Sequence, residues 1–100
     1  MTNAFRVKIS ALAENDLIGI WRSIADHTEI GANRFLKLLD TRMDSLNDFP
    51  NRGANRPEFG LSVRILVEGR YVIIYRKIRS KVEILRVVHG SMDLAKLDLA

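Results

Sequence analysis

The chain has no cysteine, and only two prolines, two histidines and seven aromatic residues among its 100 positions. Without cysteine, neither a disulfide scaffold nor a thiolate metal site is available. His27 and His89 stand far apart and lack the ligand spacing of a zinc site, so no metal or cofactor is expected. Pro50 and Pro57 fall in one short stretch, and no linker, repeat or low-complexity segment divides the chain. Long apolar runs are missing too: charged residues make up 28% of the chain, which argues against a membrane span. The first residues, Met1-Thr2-Asn3-Ala4-Phe5-Arg6, lack the apolar run of a signal peptide, so a cytoplasmic protein is expected. No Ser/His/Asp order, glycine-rich phosphate loop or carboxylate pair stands out.

What is present supports one domain over residues 1–100. The apolar fraction is 47%, and a chain of this size buries roughly two-thirds of its unfolded surface. Net charge is +4 but uneven. Residues 49–90 carry nine basic against three acidic groups, a balance of +6, while the segments on either side are each at −1. Such a field favours an anionic partner, either nucleic acid or an acidic protein.

Phe5, Val7 and Ile9 alternate with polar residues, the period of a short half-buried strand. Ser10 is placed to cap a helix carrying Ala13, Leu17, Ile20, Trp21 and Ile24 on one stripe. Thr28 caps a second helix with Ala32, Phe35, Leu36, Leu39, Met43 and Leu46 on its stripe, stopped by Pro50. Trp21 and Phe35 are expected in the core between helices and sheet. Residues 54–60 read as an irregular connection. Three strands follow, Leu61–Val67, Arg70–Lys77 and Val82–His89, and the tail Met92–Leu99 can add a helical turn whose Leu94 and Leu97 touch the sheet.

Register decides which side chains share a face. A two-residue loop before Arg70 puts Arg64 on the face of Tyr71, Ile73 and Tyr75. A bulged three-residue loop with Gly69 left-handed puts Val63 and Ile65 there instead, and this cleaner segregation is the one expected. Arg64, Arg70, Val72, Ile74 and Arg76 then occupy the other face. In the last strand Leu85 and Val87 are expected in the core, with Ile84, Arg86 and Val88 outward. The expected fold class is α+β, in the order β-α-α-β-β-β, an antiparallel sheet with an N-terminal helical hairpin packed on one face. Its free face presents Arg64, Arg76 and Arg86, donors suited to carboxylate or phosphate. Such a mixture of arginines and apolar residues fits a protein interface ahead of a catalytic site.

The series Leu17-Ile18-Gly19-Ile20-Trp21, Arg34-Phe35, Leu46-Asn47-Asp48-Phe49-Pro50, Gly53-Ala54-Asn55-Arg56-Pro57-Glu58 and Val63-Arg64 continues through two longer segments. These are Gly69-Arg70-Tyr71-Val72-Ile73-Ile74-Tyr75-Arg76 and Val82-Glu83-Ile84-Leu85-Arg86-Val87-Val88-His89-Gly90. In order and spacing the series resembles the RelE/ParE family of toxins from type II toxin–antitoxin systems, and its ParE branch in particular. The resemblance implies a toxin that poisons DNA gyrase, has no catalytic residues of its own and is neutralised in a hetero-oligomer by a cognate ParD-like antitoxin of the ribbon-helix-helix, DNA-binding type. RelE-type members instead cut mRNA on the ribosome, and Val72 stands where those enzymes tend to carry an arginine. For that alternative the candidate catalytic residues are Arg64, Arg86 and His89. Two partner-binding surfaces are expected for the antitoxin: Arg64, Arg76 and Arg86 on the sheet, and Arg34, Lys37 and Arg42 on the helical hairpin.

Overall fold

The computed structural model describes residues 6–99. The proposed strand position Phe5 lies outside the described residues. Strand β1 (Arg6–Ile9) leads into helix α1 (Ala11–Ala25), and a short turn joins it to α2 (Glu29–Asp44). Ser10 accepts from Ala13 N–H at 3.1 Å, and Thr28 accepts from Gly31 N–H at 3.1 Å. Both caps satisfy amide groups that the first helical turn leaves without a partner. A turn of 3₁₀-helix (Ser45–Asn47) ends the hairpin, and the chain then enters the strands β2 (Ala54–Asn55), β3 (Val63–Glu68), β4 (Tyr71–Ile78) and β5 (Lys81–His89). The two-residue β2 stands where an irregular connection was expected.

The sheet runs in the order β1-β5-β4-β3-β2. β2, β3, β4 and β5 are antiparallel to their neighbours, but β1 lies parallel to β5, so the sheet is mixed rather than wholly antiparallel. No tight turn joins β1 to β5; a whole helical hairpin and three strands intervene, and a long crossover leaves strand direction free.

Both faces of the sheet are buried. Ile20, Leu39, Met43 and Leu46 from the helices meet Leu66, Ile73, Tyr75, Val82, Ile84 and Val87. On the opposite face Val63, Ile65, Val72, Ile74, Leu85 and Val88 form a second cluster, covered by Phe59 and by Leu94, Leu97 and Leu99 of the tail. The tail does form a turn of 3₁₀-helix at Leu94–Lys96, and Leu94 and Leu97 pack on the sheet as expected.

This second cluster overturns the expected register. Glu68 pairs with Tyr71, Leu66 with Ile73 and Arg64 with Tyr75, across a two-residue turn whose Gly69 has φ +59°. Arg64 therefore lies on the helix side with the tyrosines, while Val63 and Ile65 face away. Segregation of apolar from charged positions misled because both faces are apolar. In β5 the ladder shifts by one residue, so that Ile74 pairs with Arg86 but Tyr75 with Ile84. Leu85 is the extra residue of this bulge. It lets Ile84 and Val87 both enter the helix-side core, and it sends Leu85 to the other face, which corrects the expectation for that pair.

The β4–β5 turn has two residues, and Arg79 takes φ 51°. A non-glycine residue there costs about 1–3 kcal/mol. Arg79→Gly should stabilise the fold by about 1 kcal/mol, read as a rise of a few degrees in the thermal midpoint. An unchanged or lower midpoint would show that the turn is not strained.

Candidate functional site

The arginines of the strand pair were expected to converge on one exposed face. They divide instead among separate tasks. Arg64 projects from the helix side and donates to the carbonyl oxygens of Gly53 (2.7 Å) and Asn51 (3.3 Å). Beside it the fully buried Tyr75 donates its hydroxyl to Pro50 O at 2.8 Å and accepts from Gly53 N–H at 2.8 Å. Lys77 Nζ reaches Asn51 Oδ1 at 2.9 Å. Three side chains from two strands thus hold the 50–53 loop against the sheet. Gly53 is required at this contact, because a Cβ would lie 2.6 Å from Ile65 O and 2.8 Å from the Tyr75 ring.

Arg76 faces the opposite side and pairs with Glu83 across the ladder at 2.9 Å. Arg42 on α2 pairs with Glu68 at the end of β3. Arg86 makes the most enclosed pair. Its Nε and Nη2 donate to Asp16 Oδ2 and Oδ1 at 2.7 and 2.9 Å, and its Nη1 donates to Asp98 O at 2.9 Å. Both side chains are mostly buried, at 16% and 14% exposure. Hydrogen bonding to Asp16 pushes the Arg86 pKa above its already high ordinary value. Arg34 and Lys37 are exposed on α2.

His89 ends β5, exposed, with its ring edge-on to Tyr71 at 5.4 Å between centroids. Ser91 N–H donates to His89 Nδ1 at 3.1 Å, and the Ser91 hydroxyl lies 2.8 Å from the same nitrogen. Nδ1 is thus an acceptor, and the ring proton of the neutral form sits on Nε2. The three residues considered for RNA cleavage do not all meet: Arg86 and His89 line one open hollow with Asp16 and Tyr71, but Arg64 lies elsewhere. Arg64 is level with Tyr75 and His89 with Tyr71, four residues apart along β4 and on strands two places apart. Standard strand spacings separate their Cα atoms by roughly 16 Å. Arg86 is turned toward α1 instead. Sequence reasoning missed Asp16, Tyr75 and Gly53 as the residues that place these arginines; an acidic residue in the first turns of a helix is the one signal that could have pointed to a salt bridge with a strand arginine.

Trp21 also departs from expectation. It is half-buried and donates Nε1–H to Asn33 Oδ1 at 2.8 Å, so it bridges the two helices rather than filling the core. Phe35 does pack on the helix-side core, 5.4 Å from the Tyr71 ring. Among the described residues no helix is long and apolar enough to cross a membrane, and no group of three His, Cys, Asp or Glu is placed to hold a metal ion.

Two helices on one face of a five-stranded mixed sheet are the fold of the ParE and RelE toxins. A solved structure of a chromosomal ParDE toxin–antitoxin system from P. aeruginosa superposes with a TM-score of 0.74 at 21% identity, covering 88% of this chain and 98% of that one. The toxin–antitoxin complex RelBE2 from Mycobacterium tuberculosis matches with a TM-score of 0.66 at 23% identity, over 86% of this chain and 98% of that one. No curated protein matches the sequence. The model of the family described as "ParE toxin of type II toxin-antitoxin system, parDE" matches residues 7–94, and the chain belongs to that family.

Burial raises the Tyr75 pKa, outweighing the Gly53 N–H bond and the Arg64 charge, which both favour the phenolate. The folded state therefore holds this proton to higher pH than the unfolded chain does, whose phenol titrates near pH 10. The stability that Tyr75 contributes is complete below about pH 10 and falls as pH rises through the folded value. Tyr75→Phe should cost roughly 1–3 kcal/mol at neutral pH and flatten the decline above about pH 10, measured by denaturant midpoints. Parallel declines in both proteins would remove the phenol from this account.

Proposed function

We propose that this toxin acts by binding DNA gyrase and poisoning it, and that a cognate ParD-like antitoxin of the ribbon-helix-helix type neutralises it. The observation that carries the reading is the use to which the strand-pair arginines are put. Phosphodiester cleavage needs charge stabilisation and proton transfer at one point. Arg86 is engaged by Asp16, Arg64 supports the 50–53 loop, and His89 lies far from Arg64. Surface recognition needs no such convergence. Membership of the ParE family, and the lack of an arginine at Val72, support the same choice.

Antitoxin contact then falls first to the exposed Arg34 and Lys37 on α2, where an acidic, disordered segment can fold on binding. Both partners place the action in the cytoplasm. Arg42, Arg76 and Arg86 are held by carboxylates within the chain, so an incoming acidic segment has to compete for them.

Purified toxin freed of antitoxin should inhibit gyrase supercoiling and trap cleaved DNA, while message on programmed ribosomes stays intact. Unaffected supercoiling at stoichiometric excess, together with codon-specific cleavage lost in Arg64→Ala or His89→Ala, would assign the ribonuclease reaction instead.

A further inference from the structure

We propose that the end of the sheet formed by the start of β1 and the β4–β5 turn docks on the phosphate backbone of duplex DNA. Arg6, Lys8, Arg79 and Lys81 gather there, and none of the four forms an ion pair among the described residues. Arg6 and Lys81 are direct cross-strand partners, and Lys8 and Lys81 both extend from the face opposite the helices. Arg79 occupies the tip of the adjoining turn, two residues before Lys81.

Three features separate this end from an ordinary solvated surface. Like charges placed directly opposite each other in a ladder repel, and the Arg6–Lys81 pair keeps that arrangement. Arg79 holds a left-handed backbone, φ 51°, at a position where glycine would fit without strain. The acidic groups of residues 49–90 are engaged elsewhere: Glu58 by Arg56, Glu68 by Arg42 and Glu83 by Arg76. Glu83 is the cross-strand partner of Lys8 but is held by Arg76, and Asp44 shares a shallow hollow with Arg6, Lys8 and Lys81. Four cations against these two carboxylates, one already paired, leave a positive end with no internal counterion for most of its charge.

A duplex fits better than a single strand. Single-strand grooves offer aromatic rings on which bases stack, whereas the large apolar side chain exposed at this end is Ile78. The choice of DNA over RNA rests on the gyrase reading, because a gyrase poison works beside a DNA duplex.

The test uses the full chain without gyrase and a labelled DNA duplex of mixed sequence, followed by anisotropy from about 50 to 200 mM salt. Four phosphate contacts give a log–log slope near −3.6, a loss of affinity of roughly a hundredfold over that range. Arg79→Gly and Lys81→Gln should each reduce the slope by about 1, and Arg22→Gln on α1 should leave it unchanged. Arg79→Gly relieves the turn, so thermal unfolding confirms that its loss of binding is not a loss of fold. No binding at the lowest salt overturns the proposal, as do slopes insensitive to Arg79 and Lys81, or tighter binding to RNA of equal length. Duplex binding through this end with supercoiling untouched would sink the gyrase reading alone. Inhibited supercoiling without duplex binding would sink this one alone.

Discussion

The arrangement of helices on sheet depends on the carboxylate of Asp16. β1 leaves the sheet at Ile9, opposite Ile84, so the second half of β5 has no neighbouring strand on that edge. Asp16 Oδ2 fills the gap by accepting Val87 N–H at 2.9 Å, while the same carboxylate holds Arg86. One helical side chain thus does the work of a strand's carbonyl and also pairs a charge that would otherwise be stranded. The Ser10 hydroxyl adds a second tie, donating to Leu85 O at 3.0 Å at the bulge while capping α1. With both ends of its first turns fixed to β5, α1 has little freedom in direction, and α2 follows through the hairpin. Either partner of the Asp16–Arg86 pair, left alone, would keep the cost of its partial burial without the charge that offsets it.

A sheet buried on both sides has consequences for its charged residues. Arg64 on the helix side has apolar neighbours and cannot stay bare, so its guanidinium ends on main-chain carbonyls of the loop beside it. Tyr75 meets the same demand with a hydroxyl that donates once and accepts once. The loop they hold lacks regular structure of its own, and its position is set by these side chains. Polar groups that resemble binding residues in the sequence are here the means by which a buried sheet supports an irregular segment.

What was legible in the sequence was local. The caps at Ser10 and Thr28, the helical stripes, the three long strands and the apolar tail all follow from spacing and capping chemistry that neighbouring residues determine. The register was not legible, for a physical reason. Alternation reports a buried face only when the other face is wet, and Val72, Ile74, Leu85 and Val88 are buried as completely as the helix-side residues. The bulge at Leu85 then shifts parity within a single strand, which no count of alternating residues can follow. β1 poses a different problem: its four residues reveal a strand but not a neighbour, and its parallel pairing follows from a crossover spanning most of the chain. Trp21 misled because helical spacing alone does not distinguish a side chain facing the sheet from one facing the partner helix.

Many of the chain's cations thus fall into three groups, each defined by what opposes it. One group ends on backbone carbonyls, as Arg64 does. Another is neutralised by carboxylates, as Arg42, Arg76 and Arg86 are. The third, at the β4–β5 turn and the start of β1, meets almost no opposing charge. Cations without a carboxylate partner, this last group among them, contribute most to the field outside the molecule, because paired charges largely cancel beyond a few ångströms and the rest is screened within about 8–10 Å at ordinary salt. The exposed Arg52 and Arg70 carry part of the +6 balance of residues 49–90 elsewhere, while Arg79 and Lys81 bring another part to this end, beside Arg6 and Lys8. That location favours contact with an extended anionic surface over enclosure of a small substrate, since a sheet end exposes its side chains without walls to exclude water. For a member of the ParE family the same separation explains how arginines can be plentiful in the strand pair while Arg64, Arg76 and Arg86 are each committed within the chain and do not gather around a scissile bond.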